Sequence, residues 1–189
     1  MERRACGFTL IETMVVVSTC LIVLLVSVPS MKSMLDRSRT TADLNRITGA
    51  INTARHAAVT FSTTATLCHL KESAHPAGCS GSWGEPLTIF LDHNNNAALD
   101  ENDTVVARVR SLGSGNIVKW RAFQNRPYLQ FKPMGYTNFQ NGNVVVCPAD
   151  GDNRQARQLV VNVQGRVRVN HRVDEAGYPI DRRGRLLRC

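Results

Sequence analysis

The run from Thr13 to Met31 contains no charged side chain, and it limits how this chain can fold more than any other feature. As an α-helix the run would be about 28 Å long, close to the thickness of the hydrocarbon core of a bilayer. Glu12 stands at its start, where a carboxylate is costly unless a partner offsets its charge. The run therefore predicts a membrane-inserted helix, and Glu12 is predicted to have a specific task.

The order of the N-terminal segments differs from that of an ordinary secretory signal, which places its small-residue cleavage site after the apolar region. Here the basic pair Arg3 and Arg4 is followed at once by Gly7 and Phe8, and the apolar run comes afterwards. We therefore expect the apolar helix to stay on the mature chain.

A second helical pattern lies beyond Pro29, a residue that should kink or loosen the helix without necessarily ending it. Apolar side chains recur there at steps of three and four residues, which places them on one helix face. A coiled-coil stalk would give the same pattern, but the stripe is short. The predicted apolar face carries Leu44, Ile47, Ile51, Ala54, Ala58 and Phe61, and the polar face carries Asp43, Arg46, Asn52 and Arg55.

After Phe61 the apolar period changes to that of β-strands. Short β-branched or alternating runs are separated by Gly, Asn, Asp and Pro, which is the pattern of an antiparallel sheet or a small pair of sheets. The predicted fold class is α+β, with the amphipathic half of the long helix packed on the sheet. Strands are predicted within residues 66–70, 86–92, 104–110, 116–123, 128–132, 143–148, 157–163 and 166–173, and a loop from Asp174 onward.

The charge of the chain is uneven. The formal net charge is +8, and the segment from Gly151 to Cys189 holds nine Arg, no Lys and four acids. Such a segment indicates nucleic acid, anionic lipid or an acidic partner surface, unless it is only a solvated face. A hydrophobic content of 43% argues against wholesale disorder.

Four cysteines lie beyond the helical segments: Cys68, Cys79, Cys147 and Cys189. An even set behind a membrane segment indicates an oxidising compartment and two disulfides. Cys68 and Cys79 enclose a short loop with Gly, Ser and Pro and form the natural first pair, which leaves Cys147 with Cys189. A zinc site is the alternative, but the chain has no CxxC and no His at ligand spacing.

The N-terminal arrangement resembles that of the type IV pilin family, whose members begin with a short basic leader, a G-F-T-L-[IV]-E motif and a long apolar helix. The residues from Gly7 to Glu12 match the motif without a gap. The resemblance implies that a prepilin peptidase cuts between Gly7 and Phe8 and methylates the new amine of Phe8. It also implies that Glu12 attracts the terminal amine of a neighbouring subunit during assembly, which offsets its cost in the membrane.

The later segments resemble the FimT, FimU and GspH branch of minor pilins and minor pseudopilins. The residues that carry this resemblance are WGEPLTIFLDHNNNAALDENDTVV, FKPMGYTN and ARQLVVNVQGRVRV. FimT proteins linked to DNA uptake carry a G-R-x-R motif near the C-terminus, which Gly165, Arg166 and Arg168 match. The resemblance implies a minor pilin that holds DNA during natural transformation. The alternatives are a FimU-like subunit that primes pilus assembly without DNA binding and a GspH-like pseudopilin of a type II secretion system.

The arginines after Gly165 have the spacing of a phosphate-binding strand. In an extended strand, alternate residues from Arg166 to Arg172 share one face, about 6–7 Å apart, and guanidinium groups at that spacing meet successive phosphates. Arg binds phosphate in a bidentate way that Lys cannot match. The alternative is an edge strand whose arginines deter aggregation or pair with neighbouring subunits. The predicted DNA-binding residues are Gly165, Arg166, Arg168, Arg172, Arg182, Arg183 and Arg185.

The segment from Asp92 to Asp103 resembles a calcium-binding loop of the D-x-N-x-N type. Its sixth position is Ala97 rather than Gly, its twelfth is Asp103 rather than Glu, and no helical pattern flanks it. We therefore predict an Asn-rich hairpin turn held by side-chain to backbone hydrogen bonds, and no metal site.

The chain carries no G-x-S-x-G, P-loop or H-E-x-x-H motif, so we predict neither catalysis nor a cofactor. The predicted organisation is a leader at 1–7, the transmembrane and assembly half of the long helix at 8–31, and a periplasmic pilin-like domain at 32–189. The predicted location is the bacterial inner membrane, single-pass with the domain in the periplasm, and then the extracellular pilus. The predicted partners are other major and minor pilins, a prepilin peptidase, double-stranded DNA and the inner membrane.

Overall fold

The computed structural model describes residues 7, 9–71, 76–81, 83–137 and 139–189. Phe8 and the leader residues 1–6 lie outside the described residues, so the predicted cleavage and methylation stay predictions. The chain divides into two compact units, with the boundary along the sequence between Arg37 and Ser38.

A single helix, α1, extends from Leu10 to Thr60 and continues through Pro29. A reciprocal cap starts it: the Glu12 N–H donates to Thr9 Oγ1 at 3.3 Å, and the Thr9 N–H donates to Glu12 Oε2 at 3.5 Å. Among the described residues, no helix combines the length and the apolar character needed to cross a membrane. The membrane span stays a prediction.

The second half of α1 buries most of its predicted apolar face. Two residues differ from the prediction. Phe61 is 57% exposed, because α1 ends one residue earlier. Asp43, predicted on the polar face, is buried, because its carboxylate accepts hydrogen bonds from Ser114 Oγ and from Asn116 Nδ2. The buried members of the stripe are Leu44, Ile47, Ile51, Ala54 and Ala58.

Within the described part of the chain, ten strands follow α1 and form two antiparallel sheets. All eight predicted segments contain a strand, while two further short strands, β2 (Ala77–Ser80) and β4 (Ala98–Leu99), were not predicted. The first sheet has the order β4-β2-β1-β3-β5, with β7 also paired to β1. It comprises β1 (Ala65–Leu70), β2 (Ala77–Ser80), β3 (Leu87–Leu91), β4 (Ala98–Leu99), β5 (Thr104–Val109) and β7 (Leu129–Phe131).

The second sheet has the order β10-β9-β8-β6, so β10 and β6 are its edges. It comprises β6 (Ile117–Ala122), β8 (Gly142–Cys147), β9 (Arg157–Val161) and β10 (Val167–Asn170). One face packs into the main core, where Trp120 stacks on Trp83 with ring centroids 4.2 Å apart. Val144 and Leu159 continue the cross-strand row that starts at Trp120, and both are fully buried in the same core. The opposite face of this sheet is therefore left for polar side chains.

Both predicted disulfides are present. Cys68 pairs with Cys79 and Cys147 with Cys189, each with a Cα–Cα distance of 5.6 Å. The first joins the neighbouring strands β1 and β2. The second joins the tail to β8, so it determines where the C-terminal arginines lie.

Candidate nucleic-acid interface

One type of tight turn is used four times around the basic region. In each, a glycine with positive φ donates its N–H to the carbonyl three residues earlier. The N–H of that earlier residue donates to the carbonyl of the residue after the glycine. Glycine suits this turn because the left-handed backbone is strained for other residues. The turns are Lys132–Gly135, Asn162–Gly165, Asp174–Gly177 and Asp181–Gly184.

The tail after Asp174 is therefore more ordered than the predicted loop. Two of the glycine turns lie in it, and the bridges Val173–Pro179 and Ile180–Leu186 flank them. The sequence reading missed this because each turn is separated from the next by only a few residues, too few for a strand pattern.

Gly165 of the G-R-x-R motif has a second constraint besides its φ of +75°. A Cβ at this position would lie 2.4 Å from the Gly135 carbonyl oxygen and 3.0 Å from Phe131 Cε1. The Arg55 guanidinium also donates to that Gly135 oxygen, at 2.9 Å. The glycine of the motif is thus required by packing, and the turn that leads into Arg166 and strand β10 is packed against α1.

The three predicted strand arginines do not form the regular stripe expected. Only Arg168 lies within β10, while Arg166 belongs to the preceding turn and Arg172 lies beyond the strand. Arg172 donates from Nη1 to the carbonyl of Arg182 at 3.1 Å, so it holds the tail. Arg166 and Arg168 are exposed, and within the described residues neither makes an ion pair.

The polar face of the second sheet brings further cations beside these arginines. Cross-strand pairing places Arg121, Asn143, Val160 and Arg168 in one row, and Lys119, Val145, Gln158 and Asn170 in the next. Residues paired in this way point to the same side of a sheet. Sequence reasoning missed Lys119 and Arg121, although their alternation with Val118 and Trp120 is the signal that would have found them.

The C-terminal tail is fixed onto this polar face. Leu187 is buried in a small cluster with Val145, Cys147 and Ala156. Lys119 Nζ donates to the main-chain oxygen of Cys189, which is also disulfide-bonded. These contacts place the predicted arginines Arg182, Arg183 and Arg185 beside Arg121, and all four line one cleft of about 490 Å³.

Asp181 organises the turn that carries the tail arginines. Its Oδ1 accepts the N–H groups of Arg183 at 2.8 Å and Arg185 at 3.0 Å. Its Oδ2 accepts from Arg185 Nε at 2.9 Å, and Arg185 Nη2 lies 2.8 Å from the same oxygen. The backbone N–H of Arg185 is the main cause that lowers the pKa of Asp181 below its ordinary value. The carboxylate is therefore ionised at neutral pH and neutralises part of the Arg185 charge.

The loop between β3 and β5 is held as a turn by its own side chains. Asp92 is fully buried, and it accepts from the N–H groups of Asn96 and Ala97 and from Thr66 Oγ1. The pKa of Asp100 lies below its ordinary value, chiefly because its carboxylate accepts the backbone N–H of Asn102. The side-chain amides of Asn94 and Asn96 also donate to Asp100 and lower its pKa further. Within the described part of the chain, no group of three or more His, Cys, Asp or Glu side chains is arranged to hold a metal ion.

Comparisons with known proteins place this architecture in a family. The family model described as type II transport protein GspH matches residues 43–165, about two thirds of the chain. No curated protein sequence matches the chain significantly.

Solved structures of two other proteins are similar to this chain, and the first of them shows the same kind of fold. The type IV minor pilin FimU of Pseudomonas aeruginosa is 15% identical, with a TM-score of 0.58, over 75% of this chain and 97% of that one. The minor pseudopilin EpsH from the type 2 secretion system of Vibrio cholerae is 11% identical, with a TM-score of 0.46, over 68% of this chain and 94% of that one. The chain belongs to the GspH family, within the FimT, FimU and GspH group of minor pilins and minor pseudopilins.

Proposed function

We propose that this minor pilin binds double-stranded DNA without sequence preference, as the pilus subunit that holds DNA during uptake in natural transformation. The observation that carries the proposal is the grouping of exposed arginines on one side of the second sheet. Arg166 and Arg168 come from the G-R-x-R turn and strand, and Arg182 and Arg183 come from the tail. Phosphate contacts suffice for such a function because they carry no sequence information.

The proposal includes the assembly steps that the family resemblance implies. The leader is removed after Gly7 by a prepilin peptidase, the domain faces the periplasm while the subunit resides in the inner membrane, and the helix then enters a pilus. Glu12 pairs there with the terminal amine of a neighbouring subunit. Its bond to the Thr9 N–H is long at 3.5 Å, so exchanging that bond for a charged amine costs little.

We expect Gly7→Val to leave the leader on the chain. A Cβ on Gly7 meets no described atom within 4 Å, so the substitution should disturb the peptidase and not the fold. Intact-mass spectrometry of the wild type should show a chain that begins with N-methylated Phe8. A mature chain that begins elsewhere, or that is unaffected by the substitution, would contradict the processing step.

We expect Arg166→Gln and Arg168→Gln each to weaken DNA binding while leaving the melting temperature nearly unchanged. Each phosphate contact contributes about 0.9 to the slope of log affinity against log salt, so losing one costs roughly fifteenfold in affinity at about 50 mM salt and roughly fourfold at about 200 mM. Fluorescence anisotropy of a labelled duplex, with the full chain in non-ionic detergent, measures the affinity at both salt concentrations.

Arg108→Gln is the matched control, because Arg108 is also an exposed arginine on an edge strand, but of the first sheet. It removes the same charge and should change the affinity less than twofold. In cells, the Arg166 and Arg168 variants should take up less DNA and still extend pili. Normal uptake with lost piliation or secretion would favour the FimU-like or GspH-like alternative.

A further inference from the structure

We propose that the cleft between the C-terminal tail and strand β6 binds phosphates of the DNA backbone, and that Arg121 is a DNA ligand in it. This inference rests on the proposed function and specifies where the DNA backbone is held. Arg121 precedes the basic C-terminal segment by many residues and belongs to no motif. Only the fold brings it to the tail arginines.

Two neighbouring cavities on the polar face of the second sheet share five lining residues, and we treat them together as one cleft. Their volumes are about 490 and 510 Å³. Both are lined by Arg121, Asn143 and Gln158 from the sheet and by Asp181 and Arg185 from the tail. The sheet therefore forms the floor of the cleft, and the Asp181–Gly184 turn forms one wall.

The charge of the cleft is strongly positive. The described residues that line it include six cationic side chains and one acid, Asp181. Gathering like charges raises the free energy of the free protein, and an anion that enters the cleft relieves this repulsion. The cationic residues are Lys119, Arg121, Arg182, Arg183, Arg185 and Arg188.

The cations differ in whether they are available to a ligand. Lys119 is half-buried and donates to the main-chain oxygen of Cys189, so it chiefly anchors the tail. Arg185 is paired with Asp181. Arg121 is exposed and makes no ion pair within the described residues, and the same holds for Arg182 and Arg183. Arg121 on the sheet and Arg182 and Arg183 on the tail thus supply guanidinium groups from both sides of the cleft.

The dimensions of the basic surface fit a phosphodiester chain better than a single small anion. Arg121 and Arg168 stand in one cross-strand row, separated by β8 and β9. Three strand spacings of about 4.8 Å put them roughly 14 Å apart. A DNA backbone that enters the cleft at Arg121 continues along this row to Arg168, and because the separation is about twice the 6–7 Å phosphate spacing, the two guanidinium groups meet phosphates that are two positions apart.

The negative charge of Asp181 opposes phosphate binding, whereas its hydrogen bonds hold the turn that carries the tail arginines. Its carboxylate occupies the Nε and Nη2 edge of Arg185, which is the edge that a phosphate would bind. Its Oδ1 also holds the turn through the N–H groups of Arg183 and Arg185. An asparagine keeps an oxygen for the turn and removes the charge, so Asp181→Asn separates the two effects.

The test measures duplex affinity of the full chain in non-ionic detergent at two salt concentrations. Arg121→Gln should weaken binding roughly fifteenfold at about 50 mM salt and roughly fourfold at about 200 mM, and flatten the slope by about 0.9. Asp181→Asn should tighten binding by roughly twofold or more, because it frees Arg185. Arg108→Gln should stay within twofold of the wild type, and circular dichroism melts should show all variants folded.

The outcomes separate this inference from the proposed function. If Arg121→Gln matches Arg108→Gln while Arg166→Gln and Arg168→Gln still weaken binding, the cleft is not the site and the DNA function stands. If the wild-type chain does not bind the duplex, both proposals fail. Vesicles of phosphatidylcholine with phosphatidylserine form a second arm. A loss confined to vesicle binding in Arg121→Gln would overturn the assignment to DNA in favour of a lipid surface.

Discussion

Replacing both Cys147 and Cys189 with serine is expected to lower the free energy of unfolding by about 4 kcal/mol, since this disulfide closes a long loop. The sequence separation is 42 residues, against 11 for Cys68–Cys79. For a domain of this size the loss corresponds to a fall in melting temperature of roughly 8–16 °C. Thermal unfolding followed by circular dichroism measures it.

The same variant should also lose DNA affinity, because the tail arginines are no longer held over β6. Replacing Cys68 and Cys79 is the control: the shorter loop predicts a loss of about 3 kcal/mol in stability and no change in DNA binding. Equal DNA affinity in the two double variants, both measured well below their melting temperatures, would show that the tail does not take part in the site.

Gly165→Ala is expected to destabilise the domain by about 2–4 kcal/mol, the sum of left-handed backbone strain and overpacking. The packing part is severe because the nearest atom to the new Cβ is the Gly135 carbonyl oxygen at 2.4 Å, which belongs to the backbone. Urea unfolding of the variant measures the loss through the midpoint at constant slope.

Gly184→Ala isolates the backbone part of that cost. Gly184 occupies the same position in the same kind of turn, with φ of +77°, but a Cβ there meets nothing within 4 Å. We expect a loss of about 1–2 kcal/mol from backbone strain alone. Equal losses at the two glycines would mean that the packing of the G-R-x-R turn on the Gly135 turn contributes nothing.

The sequence was most informative where a pattern repeats over many residues. The apolar steps of α1, the eight alternating segments and the even cysteine set each have a local physical cause, and the structure has the corresponding helix, strands and disulfides. The short strands β2 and β4 escaped prediction because their two to four residues show no alternation. Strand β2 pairs with β1, to which the Cys68–Cys79 bond also joins it, and β4 pairs in turn with β2.

The group of basic side chains on the second sheet and the tail was predicted only in part, because it depends on contacts between residues that are distant in the sequence. The arginines of the G-R-x-R turn and the tail stand out in the sequence as an excess of charge. Arg121 and Lys119 do not, since they become neighbours of the tail only through the pairing of β6 with β8 and through the Cys147–Cys189 bond. Asp43 escaped for the same reason, because its partners Ser114 and Asn116 lie in a distant loop.

The salt dependence of duplex binding by the wild-type chain tests the central claim most directly. If Arg121, Arg166 and Arg168 each contact a phosphate, the slope of log affinity against log salt should be about −3 or steeper between about 50 and 200 mM salt. Affinities should also be equal for duplexes of unrelated sequence. The absence of binding at about 50 mM salt, where phosphate contacts are strong, would contradict the claim that this minor pilin holds DNA.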